Sequence, residues 1–126
     1  MNITDIQSNF KYIQPAVIAT EDTTPGTTSY AYFQKQEGSI SYLQYVSVGI
    51  VGANSTAPVN GTVTVYAGSI VSGLIYKHHF ENEHTIVFPM PLAIGEETIT
   101  IKIETETEQA FTINAGGFYV SRLYLD

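Results

Sequence analysis

The chain has 126 residues, with 12 acidic and five basic side chains for a formal charge of −7, and neither cysteine nor tryptophan. That excludes a disulfide framework, a zinc–thiolate site and a cysteine nucleophile. It also argues against nucleic acid and an anionic membrane surface as partners, since both are held mainly by Lys and Arg. The length predicts one domain, 1–126, able to bury a core without a metal or a cross-link. Val, Ile, Thr and Tyr are abundant and helix-type Ala-Leu-Glu-Lys segments are missing, which predicts an all-β fold. No apolar run approaches the ~20 residues of a membrane-spanning helix. The opening MNITDIQSNFK lacks a basic segment followed by an apolar one, so the expectation is synthesis in a cytoplasm with no signal peptide.

In chain order, residues 1–10 are polar and read as an extended N-terminal arm. Tyr12 to Ala19 predicts a strand that Pro15 confines to an edge or a bulge. Thr20 to Ser29 (TEDTTPGTTS) predicts a loop, Tyr30 to Gln34 a short aromatic strand, and Glu37-Gly38 a turn. Ser39 to Val51 is the longest strand candidate. Ile40, Tyr42 and Gln44 fall on one parity, Leu43 and Tyr45 on the other, and the end Val48-Gly49-Ile50-Val51 reads as fully buried. Gly52 to Asn60 is rich in turn residues.

The clearest signal runs from Gly61 to Glu104. Val63 and Val65 alternate with Thr62, Thr64 and Tyr66, the period of a half-buried strand. Gly68 breaks the pattern, and Leu74, Tyr76, His78 and Phe80 share one side of the next strand. Glu81-Asn82-Glu83 predicts a hairpin tip. Thr85 to Phe88 returns until Pro89 and Pro91, which cannot donate to a ladder and predict a stop. Ile99, Ile101 and Ile103 then alternate with Thr and Lys. Phe111 and Ile113 predict a further strand, Asn114-Ala115-Gly116-Gly117 a turn, and Phe118 to Leu125 a closing strand. Eight or nine short strands at roughly ten-residue spacing predict an antiparallel two-sheet β-sandwich of jelly-roll type.

Chemistry is sparse. His79, Glu81 and His84 are the best metal-ligand candidates, but their spacing matches no cupin-type pattern and the simpler reading is a polar tip, so no metal and no cofactor are expected. No G-x-S-x-G elbow or phosphate loop occurs, and no catalytic residue is nominated. Glu104, Glu106 and Glu108 would share one side of a continuous strand, where charge discourages edge-to-edge pairing. Among nine tyrosines, Tyr30, Tyr32, Tyr42 and Tyr45 are the candidates for an interface or a ligand platform.

The segment GTVTVYAGSIVSGLIYKHHF, followed by TIVFPMPLAIGEETITIKIE, resembles a pattern in small β-sandwich proteins of tailed-bacteriophage virions. There a "g-V-t-v-y-x-G" strand precedes "s-G-x-x-i", an apolar "i-x-f-x-x-P-L" segment and a Gly-initiated strand pair. The likeness spans residues 60–125 and departs at the acidic Thr105–Glu108 run and the His-rich segment. It implies a non-enzymatic capsid-decorating, head-fibre or tail-associated role in a virion. The implied partners are other virion proteins and copies of itself, a trimer first. A charged fraction of 13%, against an ordinary ~25%, fits a surface partly covered by its own copies. Two other readings stand beside it. A carbohydrate-binding or receptor-recognition jelly-roll module would take a glycan on exposed aromatics, although tryptophan is missing. A cupin-like metal protein would need a metal at His78–His84.

Overall fold

The structure, a computed structural model, describes residues 13–68 and 73–125, with side chains described as far as residue 123; the expected arm at residues 1–10 lies outside them. The fold is all-β and antiparallel. Six strands, β1 (Ile13–Phe33), β2 (Ser39–Val51), β3 (Asn60–Ala67), β4 (Leu74–Glu81), β5 (Glu83–Gly95) and β6 (Ile99–Ser121), are followed by one helical turn, α1 (Arg122–Leu125). The sheet order is β4-β3-β6-β2-β5, and β1 pairs with the other edge of β6.

Two strands are far longer than their sequence pattern implied. β6 takes β3 as its neighbour along Ile99–Thr105 and β2 along Ala110–Ser121, while β1 follows it on the opposite edge through both parts. The sheet therefore has two halves, one built on β3 and one on β2, sharing β1 and β6. Residues 20–29, expected as a loop, belong to β1. The punctuation there is a pair of irregularities: extra residues on β1 between Asp22 and Gly26, then extra residues on β6 opposite the step from Gly26 to Thr28. Bulges of this kind bend a strand without ending it. As Pro15 predicted, β1 is an edge strand: among the described residues it pairs with β6 alone.

Other expectations are corrected by what lies across the sheet. Asn114 to Gly117 is strand, not turn. Its glycines answer to crowding: a Cβ on Gly117 would lie 1.9 Å from the Tyr42 carbonyl oxygen, and one on Gly116 2.3 Å from Cε1 of Tyr45. Pro89 and Pro91 do not stop β5. Residues 88–91 swell outward opposite the single residue Gln44, which an edge strand tolerates because its outer amides have no ladder partner to lose. Gln44 is also the extra residue of β2 against Gly116 and Gly117. It reverses the alternation, so that Tyr45 joins Tyr42 on the outer side while Leu43, Val46, Val48 and Ile50 are buried. Val51, expected to be buried, is exposed. The last strand ends at Ser121 and residues 122–125 are helical.

β2 spans the predicted residues, and Gly38 takes the left-handed φ of +78° that its turn requires. Asn82 is the tip of a turn with φ +65°, but β4 and β5 do not pair after it. They are the two ends of the sheet order. Asn82 holds the junction: its carbonyl accepts from the Ile50 amide at 2.9 Å, its amide donates to the Val59 carbonyl at 2.8 Å, and its Oδ1 accepts from the Val59 amide at 2.9 Å. The curled sheet nearly closes on itself. One continuous core results, in which Val63, Val65, Ile99, Ile101 and Ile103 of the β3 half meet Val46, Val48, Phe111 and Ile113 of the β2 half. Each such side chain contributes about 1.5–3 kcal/mol on burial.

Candidate functional site

Alternation sends every second residue outward, and the register aligns those residues in rows across neighbouring strands. On the β2 half the rows read Pro15–Phe118–Tyr42–Ala93, Val17–Gly116–Tyr45–Val87 and Ala19–Asn114–Ser47–Thr85, with Ile13–Val120–Ile40 beside them. None of these four rows holds a charged side chain. Charge returns at the rim, in the row Glu21–Thr112–Gly49–Glu83 and in the Arg122–Glu96 pair at 2.8 Å. The face is organised: the Tyr42 ring stacks on Phe118 with centroids 5.0 Å apart and planes 12° from parallel. It is also open. Val17 is 70% exposed, Val87 65% and Met90, on the swelling of β5, 79%.

The outer face of the β3 half is different. Its rows read Tyr32–Thr100–Tyr66–Leu74, Tyr30–Lys102–Thr64–Lys77 and Thr28–Glu104–Thr62–His79. Thr64 and Thr100 are buried although they point away from the core, because the long side chains around them lie over the sheet. The Lys102 ammonium sits 3.1 Å from Glu104 Oε1 and 6.0 Å from the Tyr30 ring centre. The bond to Glu104 raises the Lys102 pKa above its ordinary value, against the lowering effect of desolvation. Tyr30 and Tyr32 stand 6.3 Å apart with their planes 9° from parallel. At the Glu104 end of this face a groove of about 630 Å³ is lined by Asn60, Thr62, Lys77, His79, Glu104, Thr105 and Glu106, with Gly61 and the Phe80 ring as its apolar wall. His79 Nδ1 and Thr62 Oγ1 are 2.7 Å apart.

Between the halves lies a seam where β4 meets β5 through side chains. The His78 and His84 rings stack with centroids 4.1 Å apart, Tyr76 Oη is 2.7 Å from His84 Nε2, and Phe88 meets the Tyr76 ring edge-on at 5.9 Å. Burial, and secondarily the neighbouring His78, lower the His84 pKa. Burial raises that of Tyr76.

The structure thus distributes the sequence candidates. Tyr30 and Tyr32 lie on one outer face, Tyr42 and Tyr45 on the other. His79, Glu81 and His84 do not converge: His79 and Glu81 alternate outward, His84 turns into the seam, and no group of three or more His, Asp or Glu among the described residues is placed to share a metal ion. His79 is hydrogen-bonded to Thr62 and His84 to Tyr76, and neither bonds a serine. Sequence reasoning missed the uncharged face and the groove. Val17 and Val87 read as strand residues, and alternation alone does not tell which side is covered. Thr62 lies on β3, Lys77 on β4 and Glu104 and Glu106 on β6, and only register brings the three strands' side chains together.

No protein-family model matches the chain, and no curated protein matches it. Among solved structures it is similar to part of dimeric latent PorU from Porphyromonas gingivalis, at 10% identity and TM-score 0.51 over 86% of this chain. The matched region is 13% of that chain, and the likeness is one of fold. The Yersinia pseudotuberculosis-derived mitogen also aligns, at 10% identity and TM-score 0.44, over 80% of this chain and 83% of that one.

Proposed function

We propose that this chain is a non-enzymatic structural protein that assembles through the outer face of its β2 half, packing there against copies of itself, in the virion-accessory role that the residue pattern of 60–125 implies. The observation that carries the reading is the uncharged face. A chain with a net charge of −7 repels its own copies at every acidic surface, and the four rows around Tyr42 and Tyr45 offer a contact without that repulsion. Open apolar patches of this kind mark association sites; a two-fold pair sets such a patch against itself, and in a closed trimer adjoining parts of it meet around the axis. In the same reading the two halves of the sheet are the layers of a jelly-roll-like sandwich, with β1 and β6 contributing to both. The virion would be its location and other virion proteins its further partners.

The test is absolute mass in solution by size-exclusion chromatography with light scattering. A discrete multiple of the 13.8 kDa chain mass, a trimer first, is expected, falling to monomer in Val17→Glu/Val87→Glu. A wild-type monomer throughout the micromolar range would overturn the self-association reading.

A further inference from the structure

We infer that the groove on the outer face of the β3 half, with the tyrosine row beside it, is a binding site for a neutral, hydroxyl-rich ligand of the oligosaccharide class. The site lies on the face opposite the proposed assembly surface and does not depend on it.

Three features point to that chemistry. First, the groove is balanced in charge. Lys77, Glu104 and Glu106 line it, and Lys102, beside the lining and 3.1 Å from Glu104, offsets the second carboxylate. A strongly charged ligand would gain nothing from one pair that it did not lose to the other. Second, the lining mixes donors and acceptors at close quarters. The ammonium of Lys77 and the amide of Asn60 donate, the carboxylates of Glu104 and Glu106 accept, and the hydroxyls of Thr62 and Thr105 do both. Hydroxyl pairs on a sugar ring need both kinds of partner, and bonds to charged groups are the stronger ones. Third, aromatic surface adjoins the polar groups: the edge of the largely buried Phe80 ring walls the groove, and the exposed Tyr30 and Tyr32 rings continue beyond the Lys102–Glu104 pair. A pyranose has apolar C–H faces and polar edges, and this surface offers both in that order. The site is also preformed, because Lys102 is fixed between Glu104 and Tyr30 over the buried Thr64 and Thr100, which reduces the ordering that binding must impose. At about 630 Å³ the groove lies within the ~300–1,000 Å³ range of ligand sites.

The experiment is an array of defined neutral and anionic oligosaccharides probed with the intact chain. The best neutral binder is then titrated against 15N-labelled protein. Binding of a neutral oligosaccharide at about 1 mM or tighter is expected, with shifts at Thr62, Lys77, His79 and Glu106. Glu106→Gln and Tyr30→Ala should each weaken it about tenfold with the rest of the amide spectrum unchanged. Val87→Glu, on the other face, should leave the per-site affinity as it was, so failure of the assembly reading would not touch this one. Absence of binding across the neutral set, binding of anionic glycans alone, or shifts confined to the β2 half would each overturn the inference.

Discussion

The two outer faces are laid on the same pair of long strands, yet the rows of one hold no charged side chain and those of the other hold Lys77, Lys102 and Glu104. Along β6, residues 100, 102 and 104 present Thr, Lys and Glu, whereas residues 114, 116, 118 and 120 present Asn, Gly, Phe and Val. The core side of the strand makes no such distinction, since Ile101, Ile103, Phe111, Ile113 and Ala115 join one cluster. Folding needs only the inner side, so the contrast outside must answer to something else. On the β2 half we propose contact with another copy, and on the β3 half a small polar ligand.

The comparison can be pressed hardest through the glycines beneath each face. On the β2 half, a Cβ at Gly117 would meet backbone, the Tyr42 carbonyl at 1.9 Å, and backbone held in two ladders cannot yield. Gly117→Ala should cost about 3 kcal/mol, measured by urea unfolding. On the β3 half, a Cβ at Gly61 would meet the end of the Phe80 ring at 2.7 Å. The clash is with the far end of a buried core side chain and not with backbone, so Gly61→Ala should cost less, about 1–2 kcal/mol. Equal costs would show that the two halves are equally rigid and that the close approach at Gly117 is not the constraint on Asn114–Gly117.

The surface variants sharpen the contrast in function. Val17→Glu/Val87→Glu places charge in rows that have none. It should change the unfolding free energy of the separated chain by no more than about 0.5 kcal/mol while abolishing assembly. Lys77→Glu on the other face alters net charge by a similar step and should leave the mass unchanged. If both variants dissociate the assembly equally, general repulsion and not the uncharged face governs association.

The seam joining the halves gives a pH dependence. His84 has its pKa lowered by burial, and next by His78, so the unfolded chain binds its proton more readily than the folded one. Stability is therefore intact above the ordinary histidine value of about 6.5. It declines as pH falls from there towards the lowered value in the folded state. Urea midpoints at pH 7.5 and 5.5 should show the loss, and His84→Phe should reduce it. The groups that face the ring are Tyr76, His78 and Phe80 from β4; β3 and β2 bring Val63, Val65, Val46 and Val48 to the core side, and among the described residues His78 is the titratable neighbour acting on His84. A midpoint as high at pH 5.5 as at 7.5 would mean that the rings separate freely.

How much of this was legible in the sequence follows from what each signal measures. Period-two alternation reports that one side of a strand is buried, and it located β2, β3 and the Ile99–Ile103 segment because those residues meet the core wherever the strand sits. Turn residues were weaker guides. Gly38 and Asn82 do turn the chain, but Gly116, Gly117, Pro89 and Pro91 lie inside strands, the glycines because a neighbouring strand approaches too closely for a side chain. That approach is a fact of register, which no local pattern encodes. The sites were hidden for the same reason. Tyr30, Lys102, Thr64 and Lys77 form one row from four separate stretches, while Tyr42 and Tyr45, on opposite parities in the sequence pattern, share a face because Gln44 is an extra residue on β2.

The smallest effect separates structure from binding on the β3 half. The Lys102–Glu104 pair is short at 3.1 Å, but the Glu104 side chain remains 44% exposed, and such pairs are worth at most about 1 kcal/mol because water competes for both ions. Glu104→Gln should therefore move the urea midpoint little, and 0.5 M salt should remove most of the difference between the variant and the wild type. Its consequence should fall on the groove. Without its carboxylate partner Lys102 regains rotamer freedom above Tyr30, and the groove loses an acceptor. A variant as stable as the parent with weakened neutral-glycan binding would show that this ion pair is there to fix the lining and not to hold the sheet. Loss of stability in proportion to loss of binding would assign it to the fold.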